Sequence, residues 1–186
     1  MNTDEKNQQI VDLCKKLKYE YKIVFSDEGN LKSHTDVKKD PQWQYFPSRK
    51  PHGLWYSFGP SWVSYLTGEY KDHGESWERK RLACMTHIYR LSLDESKIYC
   101  IENEKHFDKF TKNFALKKKS VIDWEKVAEG WSGVEIRYIS NREDVEWYIG
   151  WDCSSGCIWN PDAVKRIRLL ASWEPTWSYN DNTCPF

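Results

Sequence analysis

The stretch Lys50-Pro51-His52-Gly53-Leu54-Trp55-Tyr56-Ser57, continued by Pro60-Ser61-Trp62-Val63-Ser64-Tyr65, is the most informative part of this chain. It reads as a glycine, a short aromatic strand closing on a small hydroxyl residue, then a turn and a brief helix. The last aromatic, Tyr65, falls ten positions after Trp55. Such an arrangement builds two walls of a pocket for a flat ring, because large rings supply area at little rotamer cost and a glycine admits close approach to the backbone.

Working outward on the N-terminal side, residues Glu5 to Lys18 repeat Ile10, Leu13, Cys14 and Leu17 at helical spacing, which predicts an amphipathic helix. Tyr19, Tyr21, Ile23 and Phe25 alternate with Glu20, Lys22 and Val24 and predict a strand ended by the Asp27-Glu28-Gly29-Asn30 turn. Residues 31 to 50 mix charges with Pro41 and Pro47 and read as a loop carrying His34 and Thr35.

On the C-terminal side, Gly68 to Glu78 is a polar surface loop. His87 to Leu93 and Lys97 to Ile101 read as strands, and Glu104 to Phe114 as a helix with Phe107, Phe110 and Phe114 on one side. Lys117-Lys118-Lys119 reads as a solvated loop. Asp123 is placed to cap a short helix to Glu129. Val134, Ile136 and Tyr138 mark a strand with Glu135 and Arg137 on its polar face. Further strands are expected at Val145 to Trp151, Gly156 to Trp159 and Val164 to Leu170, followed by an irregular Trp-rich tail over 171–186. Strands concentrated after residue 85 predict an α+β domain rather than regular βαβ alternation, and 186 residues suit a single one.

Composition narrows the functional classes. With 28 basic and 28 acidic side chains, no global field draws the chain to nucleic acid or an anionic membrane. No apolar leader and no long apolar run appears, so the expectation is a cytoplasmic protein without membrane contact. Only Cys153 and Cys157 lie close among the six cysteines, and no second Cys or His pair accompanies them; reduced thiols and no metal site are expected. Eleven Trp exceed the needs of an ordinary core, which suggests that some rings line a ligand site or partner surface.

Residues 50–65 resemble the nicotinamide-holding segment of ADP-ribosyltransferases, especially the poly(ADP-ribose) polymerase branch. There a Gly, an aliphatic residue, two aromatics and Ala or Ser precede a short helix that closes on Tyr. The resemblance implies a split mixed β-sheet with a few flanking helices, NAD as substrate, and a protein or nucleic-acid acceptor. It implies that Gly53, Trp55, Ser57 and Tyr65 hold the nicotinamide, with Tyr56 replacing Trp55 if the strand register slips by one. His34 and Thr35 stand where the family has a His-Gly-Thr-like element gripping the adenosine-side ribose or a phosphate; His52 competes for that role.

Breaking the glycosidic bond to nicotinamide passes through an oxocarbenium-like transition state, which a carboxylate must face. Toxin-like family members carry Glu at the head of an apolar strand leading to Asp-Pro-x-x-Val. The corresponding run here is Ser155-Gly156-Cys157-Ile158-Trp159-Asn160-Pro161-Asp162-Ala163-Val164, so the glutamate position holds Ser155. Glu135 and Asp152 are the two acids that could replace it, with Glu135 preferred. Mono-ADP-ribosyl transfer is the leading expectation. A non-catalytic nucleotide or ADP-ribose binding module with a degenerate pocket is the alternative, followed by an NAD-using RNA 2′-phosphotransferase employing His34, Arg49 and Arg137. A serine or cysteine nucleophile at Ser154, Ser155 or Cys157 ranks last, for want of a Gly-x-Ser-x-Gly elbow.

Overall fold

The computed structural model describes residues 1–27, 31, 50–68, 81–116 and 121–174. Among the described residues the elements follow one another as α1 (Thr3–Lys15), β1 (Lys22–Ser26), β2 (Leu54–Phe58), α2 (Ser61–Thr67), β3 (His87–Leu93), β4 (Ile98–Ile101), α3 (Glu104–Phe114), α4 (Trp124–Gly130), β5 (Gly133–Ile136), β6 (Ser155–Ile158) and β7 (Val164–Ser172), with residues 81–84 also helical. Their hydrogen-bonded order is β4-β5-β6-β2-β1-β3-β7. The β4/β5 pair is parallel, whereas β5/β6, β1/β2 and β1/β3 are antiparallel, so the sheet is mixed and the fold is α+β. No helix among the described residues is long and apolar enough to cross a membrane.

Residues group into two compact units. The first comprises 1–31, 57–92 and 166–186. Its core gathers Ile10 and Cys14 of α1, Ile23 of β1, Val63 and Leu66 of α2, and Ile88 of β3, with Leu82 and Met85. Helix α1 begins two residues before the expected Glu5, because Asn2 and Glu5 form a reciprocal capping box. It ends at Lys15, and Leu17 packs on the core from beyond the helix. Burial pushes the Cys14 thiol up to about 12. The first strand is shorter than its alternation suggests: Tyr21 N–H donates to the Lys18 carbonyl at 3.0 Å, closing a turn over the residues expected to open the strand. Gly59 continues β2 into α2 at φ +49°, where a Cβ would meet the Lys18 carbonyl, so the corner requires glycine. Trp173 folds back here, its indole N–H donating to Gln9 Oε1 at 2.9 Å; the rest of the tail, 175–186, lies outside the described residues.

The second unit comprises 32–56 and 93–165. Helix α3 starts where Asn103 accepts from His106 N–H, and α4 where Asp123 accepts from Lys126 N–H, both at 3.0 Å. Phe107 and Phe110 of α3 and Val127 of α4 pack with Val134 and Ile136 of β5, Cys157 of β6, and the indoles of Trp124, Trp147, Trp151 and Trp159. These four indoles belong to the core, which accounts for much of the tryptophan surplus.

Two expectations are corrected in this unit. Val145 to Trp151 is not a strand but a 3-10 turn, Glu146–Tyr148, with Tyr148 N–H bonded to Val145 O at 2.8 Å and Trp151 N–H to Tyr148 O at 3.0 Å. Adjacent Trp147 and Tyr148 both enter one cluster while Ile149 stays exposed, a pattern that a strand with period two does not produce. The polar face of β5 is the second. Glu135 is only 6% exposed, because β5 is an interior strand between β4 and β6 and all four of its residues are buried.

Candidate functional site

Strand register aligns a row of side chains across the second unit. Cys100 of β4 stands opposite Glu135 of β5, and Glu135 opposite Gly156 of β6. Alternation sends Val134, Ile136 and Cys157 into the indole cluster, so Glu135 and its row project from the other face. Strand β2 is the next neighbour of β6, and its Tyr56 lies over Gly156. A Cβ on Gly156 would sit under 3.0 Å from Cζ, Oη and Cε2 of that ring. The missing side chain therefore leaves the opening through which a phenol on β2 passes across β6 to reach β5.

The Tyr56 hydroxyl donates to Glu135 Oε1 at 2.7 Å, and both residues are buried. Burial first, then the Glu135 charge and hydrogen bond, holds the phenol well above the usual tyrosine range, so Tyr56 remains a donor. The thiol of Cys100 lies 3.9 Å from the second oxygen, Oε2. The same thiol lies 3.7 Å from the Ile98 carbonyl, so the phenol makes the short hydrogen bond to this carboxylate and the thiol stands beside its other oxygen. Tyr56→Phe removes the donor to Oε1 and is expected to lower stability by about 1–3 kcal/mol. Urea denaturation measures it, and an unchanged midpoint would show that the bond contributes nothing.

Other expected site residues are distributed unevenly. Gly53 is pressed on β6, where a Cβ would lie under 3.0 Å from the Ile158 carbonyl and the Cys157 thiol; close packing of backbones accounts for this glycine without a ligand. Trp55 is half-buried, its ring centroid 4.9 Å from that of Trp151, with the Lys50 ammonium 5.5 Å over its face. Ser57 is buried and makes long hydrogen bonds to the carbonyls of Ile23 and Gly59, at 3.5 and 3.4 Å. Tyr65 packs against the core of the first unit. Asp152 is exposed, just beyond the buried Trp151. His34, Thr35 and Arg49, together with the Lys117–Lys119 run and the 69–78 loop, lie outside the described residues.

Ser155 opens β6 and donates its hydroxyl to the Cys153 carbonyl at 3.0 Å. Ser154 accepts from Tyr138 N–H at 2.9 Å. The Cys157 thiol is fully buried and held well above the usual range by desolvation, which removes its thiolate and argues against a nucleophile there. Cys100 and Gly156 are the members of the row that carry no motif. Their only sequence signal is their offset from strand neighbours, and it becomes visible once the β4/β5/β6 register is known. No protein-family model, curated protein or solved structure gives a significant match to this chain.

Proposed function

We propose that this chain is an NAD-dependent mono-ADP-ribosyltransferase-like enzyme that transfers ADP-ribose to a protein or nucleic-acid acceptor, with Glu135 as its acid. The supporting observation is the 2.7 Å bond from Tyr56, inside the aromatic stretch that resembles the family's nicotinamide segment, to Glu135. Ring strand and acid must face one ligand in this chemistry, and a carboxylate held by a buried phenol needs no reorganisation when positive charge develops. In the reaction the bond from the ribose C1′ to nicotinamide breaks, its electron pair leaves with nicotinamide, and the ribosyl cation is faced by the carboxylate. An acceptor oxygen or nitrogen then bonds to C1′ and gives up its proton.

Nicotinamide release from NAD tests this. Glu135→Gln is expected to reduce release by about 100-fold or more, the size of losing one preorganised electrostatic partner. Asp152→Asn is expected to leave it within a few fold. Circular dichroism and NAD binding accompany both variants, so that loss of the fold is distinguished from loss of chemistry. Release that survives Glu135→Gln and fails in Asp152→Asn transfers the role to Asp152.

The second reading is a binding module that holds NAD or an ADP-ribosyl group without cleaving it. The burial of Glu135 favours it, as does Ser155 at the glutamate position of the resemblance. NAD binding with no nicotinamide release by the unmodified chain is its signature.

A further inference from the structure

We propose that Glu95, Cys100 and Glu135 form a binding site for one divalent metal ion of the zinc class. An oxygen of each carboxylate and the Cys100 Sγ all lie within 4.8 Å of one another. They come from three backbone segments of one compact unit: the 3-10 turn Glu95–Lys97, strand β4, and strand β5 paired in parallel register with β4. The turn is closed by Lys97 N–H to Asp94 O at 3.0 Å, which fixes where Glu95 leaves the chain relative to Cys100. This proposal does not depend on NAD recognition, and because Tyr56 holds Oε1 and the ion would take Oε2, metal and ADP-ribosyl chemistry compete for Glu135.

The donor set selects the ion. A thiolate disfavours magnesium and calcium, while two carboxylates beside one sulfur suit a borderline-soft cation such as zinc. Zinc bonds of about 2.3 Å to sulfur and about 2.0–2.2 Å to oxygen put tetrahedral ligands roughly 3.5 Å apart. The Sγ to Oε2 distance of 3.9 Å is within a few tenths of that separation. Glu95 is exposed, with its carboxylate oxygen within 4.8 Å of both other ligand atoms. Tyr56 holds Oε1 of Glu135 and leaves Oε2 on the side of the thiol, which is how a bound hydroxyl orients a metal-binding carboxylate.

Burial falls from Glu135 through half-buried Cys100 to exposed Glu95, so the ion has an entry path from solvent. Three protein ligands leave a fourth position for water. Binding deprotonates Cys100: the sulfur lone pair goes to the metal and the thiol proton to solvent, so affinity falls as the pH is lowered.

Equilibrium dialysis of the reduced 186-residue chain against Zn²⁺, and its absorption spectrum with Co²⁺, test the site. One Zn²⁺ per chain is expected. Cys100→Ala and Glu95→Gln should each weaken binding by about tenfold or more, the scale reached even by residues that merely orient ligands. The sulfur-to-cobalt charge-transfer band should vanish in Cys100→Ala and persist in Cys153→Ala. Neither Glu95 nor Cys100 is a core residue, so both variants are expected to fold. A chain that retains no Zn²⁺, or either variant binding as tightly as the unmodified chain, overturns the proposal. Nicotinamide release has no bearing on either outcome.

Discussion

Gly156→Ala is expected to destabilise the protein by about 2–4 kcal/mol, combining overpacking with disruption of a buried hydrogen bond. The added methyl carbon would lie under 3.0 Å from three atoms of the Tyr56 ring. Tyr56 is 3% exposed and has little room to move away. Any displacement that relieves the clash also draws the hydroxyl off Glu135, a buried residue that keeps its desolvation penalty. Urea denaturation reads the loss. A double variant, Gly156→Ala with Tyr56→Leu, shortens the obstructing ring and should lose less than the sum of the single changes, with a coupling of about 0.5–3 kcal/mol. Additive losses would mean that Tyr56 does not cross β6 over this glycine.

The second large effect belongs to the indole cluster. Trp147→Ala should cost about 3–5 kcal/mol, the range for deleting a fully buried large ring. Trp147 is 0% exposed and stacks on Phe107 with ring centroids 4.7 Å apart and planes 17° from parallel. Phe110 lies 5.5 Å away, and the indole N–H donates to Thr111 Oγ1 at 3.0 Å inside the core. Truncation leaves a cavity against α3 and an unmatched acceptor on Thr111. Against a typical total of about 5–15 kcal/mol, this is enough to leave the chain marginally folded. Thermal unfolding measures it, with Trp55→Ala as the comparison. Trp55 is half-buried at the edge of the same cluster and should lose clearly less. Equal losses would mean that the cluster has no centre at Trp147.

Where the sequence was legible, the signals were short-ranged. Asp123 capping α4, the Phe107-Phe110-Phe114 stripe of α3, and the alternation of β3 each depend on neighbours within about four residues, so the chain states them directly. The passage from aromatic strand to short helix at 54–67 is legible for the same reason. Legibility failed where one local pattern served two structures. Val145, Trp147, Ile149 and Trp151 alternate like a strand, but the cluster takes Trp147 and Tyr148 together and the segment turns.

The candidate site is long-ranged throughout. Tyr56 and Glu135 are 79 residues apart, and Cys100 and Glu135 are 35 apart. The chain alone establishes which residues are acids, rings and thiols, and which short elements carry them, since caps and periodicity operate inside a few turns of backbone. Only the tertiary structure decides that β6 stands between β2 and β5, that a glycine sits at the crossing point, and that the outer face of β5 is covered. Strand order and register are set by burial summed over the sheet, and no local pattern of residues encodes that sum.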